Sequence, residues 1–191
     1  MPPLDALVAA ILTNNPATKI QFYLSWGRPG GEPNLCTTMP QFCSYDSYQV
    51  DVIPTLVFMI KNVTSVCQDA LTEGYMKLAC MKKPAHAAPV GEGFRYVKQV
   101  YGEEMWEQLY VPGDKHPSLA GSFLSAVTHF MALYDMDYVN DDIPTFGLSE
   151  EVVNALVESA YITRFSGEWS LEADTECSIF YCSSKEGKDE S

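Results

Sequence analysis

The amino-acid sequence predicts a domain of the α/β class. Two short segments rich in aliphatic and aromatic residues, 19–26 and 85–90, have the composition of buried strands. Segments with apolar residues at helical spacing lie before and after each strand, which is the alternation typical of this class. The chain has 191 residues, of which 47% are hydrophobic and 19% charged, and these values indicate one globular domain with a core.

The first predicted element is a helix over residues 3–14, followed by the strand over 19–26. Pro3 lies in the first turn of this helix, where a missing N–H is tolerated, and Asn15 and Pro16 end it. The apolar residues of the helix recur at helical spacing, at Leu4, Leu7, Val8, Ile11 and Leu12. The loop over 28–33 is rich in proline and glycine, but it lacks the lysine and serine of a phosphate-binding loop.

Four further helices are predicted, over residues 69–81, 92–103, 117–134 and 148–160. The helix over 92–103 has Phe94, Val97 and Val100 on or near one face. Pro117 suits the first turn of the next helix. Ser149 is predicted to be the N-cap of the last helix, because a serine side chain can accept a hydrogen bond from the first free N–H groups.

The charge balance excludes two classes of partner. The chain has 12 basic and 25 acidic residues and a formal net charge of −13. Nucleic acids and anionic membranes are both bound by basic patches, so we expect neither as a partner. The longest apolar run, 52–60, contains Pro54 and is too short to span a bilayer.

The cysteines form three pairs that are close in sequence, namely Cys36 with Cys43, Cys67 with Cys80, and Cys177 with Cys182. Six cysteines allow fifteen pairings, but this spacing favours three local disulfides, and the first pair is the strongest candidate because it flanks one loop. Disulfides predict a secreted or secretory-pathway protein. No signal peptide is visible, and the combination predicts a chain that lacks its N-terminal part, as a truncated gene product, a fragment or a degenerate paralogue would.

Neither a metal nor another cofactor is predicted. The chain contains no Cys-x-x-Cys motif, and its histidines, His86, His116 and His129, are scattered along the sequence. His129 falls within a long apolar helix, so we expect it in the core or at its boundary.

The segment over residues 113–122 carries the strongest indication of chemistry. His116 lies in a loop immediately before an apolar helix, which would hold the imidazole at a fixed and exposed point. Asp114 is close enough to hold the imidazole in one tautomer and to stabilise its cation. We therefore take His116 and Asp114 as the candidate catalytic pair. The alternative is a surface histidine before an ordinary helix.

Three segments resemble the second half of the SGNH (GDSL-like) hydrolases. Residues 20–28, Ile-Gln-Phe-Tyr-Leu-Ser-Trp-Gly-Arg, are similar to a strand that ends in Thr-Trp-Gly-Arg in one branch of that superfamily. Residues 88–95, Ala-Pro-Val-Gly-Glu-Gly-Phe-Arg, are similar to its Pro-Val-Gly turn from strand to helix. Leu109, Tyr110 and residues 116–124 are similar to its histidine block. The resemblance covers about residues 3–160.

This resemblance implies a three-layer α/β/α sandwich around a parallel sheet, similar to flavodoxin. In this chain the sandwich would be partial, because the N-terminal strands of the family fold are missing. It also implies hydrolysis of acyl or acetyl esters of small molecules or glycans, by a serine nucleophile, with His116 as the base and an acid near Asp114. Nothing in the chain resembles the serine block or the glycine and asparagine blocks that supply oxyanion donors. The alternative function is therefore a non-catalytic secreted protein that binds a glycan or a protein through the same cleft.

The chain also departs from the family pattern at the acidic residue of the triad. The triad aspartate of the family usually lies three residues before the histidine, and Gly113 holds that position here. Asp114 either replaces the usual acid or points to solvent.

Three further residues are candidates for substrate binding. Trp26 and Arg28 end the first strand at its carboxyl edge, where α/β sheets place ligands, and Gly91 follows the second strand. Arg28 suits a carboxylate or sulfate, or alternatively holds a loop. Gly91 allows a close backbone approach or a tight turn.

Other residues near the histidine have two interpretations. Trp106 and Tyr110 either stack on a sugar or pack in the interior. Glu92 either faces the cleft or complements the dipole of its helix. Ser118 is expected to bond the backbone, and neither it nor Ser122 is expected to be the nucleophile.

Residues 50–68 resemble nothing in the family, whose members would join residues 44–49 directly to 69–75. The segment begins with valine and ends with glutamine, as the GT and AG borders of an in-frame intron would encode. We hypothesise a retained intron, and the alternative is a lineage-specific loop. The polar residues 183–191 are predicted to be a disordered tail after a single incomplete domain over 1–182.

Overall fold

A computed structural model describes residues 2–31, 33–38, 43–45, 75, 85–136 and 143–165. Several predictions of the sequence lie outside these residues: the insertion over 50–68, the tail over 183–191, and the cysteine pairs Cys67–Cys80 and Cys177–Cys182. The helix predicted over 69–81 also lies outside them, except for Tyr75, which is helical.

The two predicted strands pair in parallel. Helix α1 (Pro2–Asn14) leads into β1 (Ile20–Tyr23), which pairs with β2 (Ala85–Ala88) so that Ile20 lies opposite Ala85. Both strands are shorter than predicted, and β2 ends at Ala88 because a helix begins at Val90, directly after Pro89. The described part of the chain is thus mixed α/β, mostly helical, with a small two-stranded parallel sheet.

A disulfide joins Cys36 to Cys43, as predicted. Cys36 is the last residue of the one-turn helix α2 (Pro33–Cys36). The bond is consistent with an oxidising compartment.

Three short elements replace the single helix predicted over 92–103. They are α3 (Val90–Tyr96), a π-helix (Val97–Tyr101) and α4 (Glu103–Glu107). Gly102 separates the last two with a φ of +87°, a conformation that favours glycine. A π-turn contains more residues than an α-turn, so Val100 rotates away from the core and is 52% exposed, whereas Phe94 and Val97 are fully buried.

Two long helices complete the described fold. The first, α5 (Leu119–Tyr134), begins two residues later than predicted, because Pro117 pairs with Tyr110 in an antiparallel bridge and Ser118 is the N-cap. The second, α6 (Glu150–Phe165), has the predicted N-cap, since the Ser149 hydroxyl accepts a hydrogen bond from Val152 N at 3.3 Å.

The core lies where α3, α5 and α6 meet. The helices α5 and α6 pack against each other, α3 packs on both, and β2 contacts α5. The largest fully buried apolar side chains are Leu24, Phe94, Leu109, Leu124, Met131 and Leu156. Within the described ranges, no helix combines the length and apolar character that crossing a membrane requires.

Candidate functional site

The histidine loop, residues 110–117, is closed at its base by backbone hydrogen bonds. Tyr110 and Pro117 form the bridge, and Val111 N donates to His116 O at 2.9 Å. Asp114 N in turn donates to Val111 O at 2.9 Å, which forms a turn through Gly113, whose φ is +74°. The loop therefore holds the backbone of His116 in place and presents its side chain, 69% exposed, to solvent.

The structure brings His116 and Asp114 together. Nδ1 of His116 lies 2.9 Å from Oδ1 of Asp114. The same oxygen accepts hydrogen bonds from the backbone N of Lys115 at 2.6 Å and of His116 at 3.4 Å. These hydrogen bonds hold the pKa of Asp114 below its usual value. The bond from the imidazole has the largest effect, and the bond from Lys115 N has the next largest.

The Asp114 contact fixes which imidazole nitrogen is a base. An ionised carboxylate only accepts hydrogen bonds, so the Nδ1 of His116 must carry the proton that they share. The lone pair of the neutral ring is then on Nε2. A largely exposed imidazole with a carboxylate bonded to its Nδ1 is the arrangement of a general base.

The segment that follows β1 is tied to the histidine loop at two points. The Nε1 of Trp26 donates to the carbonyl oxygen of Lys115 at 3.3 Å. The hydroxyl of Tyr110 donates to the carbonyl oxygen of Gly27 at 3.1 Å. Trp26 is therefore beside the catalytic candidates, and His116 lies at the carboxyl edge of the parallel strands, where α/β proteins place their sites.

A groove of about 1120 Å³ runs along one side of the histidine loop. Arg28, Asp114 and Lys115 line it, together with two carboxylates of α4, those of Glu104 and Glu107. Arg28 thus shares a surface with one member of the candidate pair. The groove bears charges of both signs.

Gly91 is buried and does not line this groove. Its N donates to Leu24 O at 2.8 Å, and a Cβ at this position would lie 2.2 Å from the carbonyl oxygen of Ser25. The close backbone approach expected for Gly91 is present, and its partner is the segment directly after β1. Ser25 itself is half-buried.

Gly121 is a positioning residue that the sequence analysis missed. A Cβ there would lie 2.2 Å from the carbonyl oxygen of Leu109, so only glycine allows α5 to start so close to the loop. The sequence signal for this role was a glycine in the first turn of a helix. Glycine lowers helix stability, so its presence there indicates a close contact that a side chain would block.

Ser118 bonds the backbone, as predicted. Its Oγ accepts hydrogen bonds from Ala120 N at 3.1 Å and Gly121 N at 3.3 Å, and donates to Gln108 O at 2.5 Å. The hydroxyl is thus fully engaged as the cap of α5. Within the described residues, no serine, threonine or cysteine side chain is hydrogen-bonded to the imidazole of His116.

Trp106 and Tyr110 pack in the interior. Their rings meet edge to face at 5.2 Å, and only 3% and 5% of these residues are exposed. Burial raises the pKa of Tyr110, so its phenol stays protonated and donates to Gly27. Glu92 is also buried and forms an ion pair with Arg95 on its own helix, so it does not face the cleft.

His129 lies at the core boundary, as expected. Its Nδ1 is 2.7 Å from Gln21 Oε1, and its ring contacts that of Tyr23 edge to face at 4.6 Å. Burial lowers the pKa of this imidazole. In the part of the chain that the structure describes, no cluster of three or more histidine, cysteine or acidic side chains is arranged to hold a metal ion.

Comparison with models of protein families, with curated proteins and with solved structures gives no match. The resemblance to the SGNH hydrolases therefore depends on the three sequence segments alone.

Proposed function

We propose that this chain is an SGNH-type hydrolase-like protein, built on a partial three-layer α/β/α sandwich, in which Asp114 and His116 are the acid and base for ester hydrolysis. The observation that carries the proposal is the 2.9 Å contact between Asp114 Oδ1 and His116 Nδ1, in a loop tied to the segment that follows a parallel strand. The substrates are acyl or acetyl esters of small molecules or glycans.

The pair acts on a hydroxyl group that attacks the ester. Nε2 of His116 takes the hydroxyl proton as the oxygen bonds to the carbonyl carbon, and Asp114 stabilises the resulting imidazolium. The tetrahedral intermediate then collapses, its bond to the alcohol oxygen breaks, and Nε2 returns the proton to that oxygen. In the family the attacking group is a serine, and at the described site it is water, so we expect slow turnover.

The test is the hydrolysis of p-nitrophenyl acetate by the purified chain at neutral pH. We expect a rate above that of buffer, which His116→Ala reduces to the buffer rate. The matched control is His129→Gln, which removes a half-buried histidine that is bonded to Gln21 and should leave the rate unchanged. Equal rates of p-nitrophenyl acetate hydrolysis in the wild type and His116→Ala would contradict the proposal.

A second function, binding without catalysis, is favoured by two observations. The hydroxyl of Ser118 is committed to capping α5, while the groove beside the loop is open and lined by Arg28 and Lys115. A glycan or a protein partner would then occupy this groove. Acetylated xylo-oligosaccharides are a suitable probe in an NMR titration. Binding that survives His116→Ala and is lost in Arg28→Ala supports this function. If the highest probe concentration changes no chemical shift of the wild-type chain, binding of acetylated glycans is contradicted.

A further inference from the structure

One peptide group beside the candidate base is held from both sides. The carbonyl oxygen of Lys115 accepts a hydrogen bond from Trp26 Nε1 at 3.3 Å. The N–H of the same peptide group, which belongs to His116, points to Asp114 Oδ1 at 3.4 Å. This peptide group therefore lies between the indole of Trp26 and the carboxylate of Asp114.

The orientation of this peptide group controls the contact between acid and base. Asp114 Oδ1 accepts three hydrogen bonds, from Lys115 N, His116 N and His116 Nδ1. Two of these donors belong to His116, so a displacement of the His116 backbone moves both relative to the same oxygen. A donor that fixes the carbonyl end of the peptide thus also fixes the imidazole.

The ring of Trp26 is itself fixed by the core. It stacks on the ring of Phe94 with 4.6 Å between centroids and 9° between planes, and Phe94 is fully buried. Phe94 in turn contacts the ring of Tyr110 edge to face at 5.5 Å, at the start of the histidine loop. The indole N–H is therefore a rigid donor, set by packing rather than by the loop that it holds.

We propose that Trp26 is a positioning residue for His116, acting through the backbone carbonyl of Lys115. This inference rests on the proposed function, because it assigns a role toward the base of that site. It replaces the expectation that Trp26 binds substrate: its polar atom is bonded to Lys115, one ring face is stacked on Phe94, and it does not line the groove.

The test compares Trp26→Phe with Tyr23→Phe. The first variant keeps an aromatic ring for Phe94 and removes the N–H donor. The second removes a hydrogen bond of the same 3.3 Å length, from Tyr23 to Ser125, which does not involve the histidine loop. The readouts are the pH titration of the Asp114 carboxyl carbon by NMR and the rate of p-nitrophenyl acetate hydrolysis.

In Trp26→Phe we expect the Asp114 carboxyl to titrate at higher pH than in the wild type, and the rate to fall about tenfold. Tyr23→Phe should change neither. An Asp114 titration that is unchanged in folded Trp26→Phe contradicts the positioning role. If the wild type has no esterase activity, the proposed function fails, and the titration still decides whether Trp26 positions the pair.

A second measurement covers the case in which Trp26→Phe does not fold. In the wild-type chain, the indole N–H of Trp26 should exchange with solvent at least about tenfold more slowly than in the urea-unfolded chain. Exchange at the unfolded rate would show that the bond to Lys115 is not formed and would overturn the inference.

Discussion

Nδ1 of His116 lies 2.9 Å from Oδ1 of Asp114, and one residue separates the two in sequence. The turn at Gly113 and the hydrogen bonds from Lys115 N and His116 N fold the carboxylate back over its own backbone. Asp114 thus reaches the imidazole from a position one residue later than the acid of the SGNH family. The departure from the family spacing does not prevent the pair from forming.

Asp114→Asn should lower the rate of p-nitrophenyl acetate hydrolysis about tenfold. An amide neither stabilises the imidazolium nor enforces a proton on Nδ1, because its nitrogen is a donor. The loss is modest for such a change because both side chains are well exposed to water. The control is Asp135→Asn, which removes another exposed carboxylate, one that accepts from Arg164 Nη2 at 2.8 Å. Equal rates in the two variants would remove Asp114 from the mechanism.

Ser118→Ala should lower the free energy of unfolding by about 1 kcal/mol, measured by urea denaturation. The change leaves the N–H groups of Ala120 and Gly121 without their cap and removes the bond to Gln108 O. Ser122→Ala, at an exposed position in the first turns of the same helix, is the matched control and should be close to neutral. A Ser118→Ala chain as stable as this control would show that the cap contributes nothing.

Gly91→Ala should destabilise the fold by about 2 to 3 kcal/mol, because the new Cβ would overlap the backbone oxygen of Ser25. Gly93→Ala is the comparison on the same helix. Its Cβ would meet the end of the Leu124 side chain at 3.3 Å, which requires a shift of only a few tenths of an ångström, and alanine favours the helix. We expect Gly93→Ala to be nearly neutral in urea denaturation. A reversed order of the two variants is incompatible with the described contact between α3 and the segment directly after β1.

His129 should make the fold less stable in mild acid. Burial lowers the pKa of its imidazole in the folded chain, so the unfolded chain, with a pKa near 6.5, takes up the proton first. Stability contributed by the neutral ring is complete above that value and is lost as pH falls through the lower folded pKa. Between about pH 7 and pH 5, the free energy of unfolding should therefore decrease more in the wild type than in His129→Gln. Parallel pH profiles would contradict the burial of this ring.

Local features of the fold were predictable from the sequence. The cap at Ser149, the Cys36–Cys43 bridge and the proximity of Asp114 to His116 each depend on residues that are within a few positions of each other. Short separations leave few conformations, so residue type and spacing are enough.

Features set by packing were not predictable. Trp26 and Lys115 are 89 positions apart, and Tyr110 and Gly27 are 83 apart, so no local pattern indicates these hydrogen bonds. The start of α5 was misplaced for a related reason. Pro117 is acceptable in a first helical turn, but its bridge to Tyr110 requires an extended backbone, and the helix begins after it.

The measurement that tests the acid–base pair most directly is the tautomeric state of His116, from long-range proton–nitrogen correlation spectra of the neutral ring. We predict a proton on Nδ1 and a lone pair on Nε2 in the wild type, with this preference lost in Asp114→Asn. A neutral ring that carries its proton on Nε2, in both the wild type and the variant, would show that Asp114 does not hold the imidazole and would contradict the proposed role of the pair.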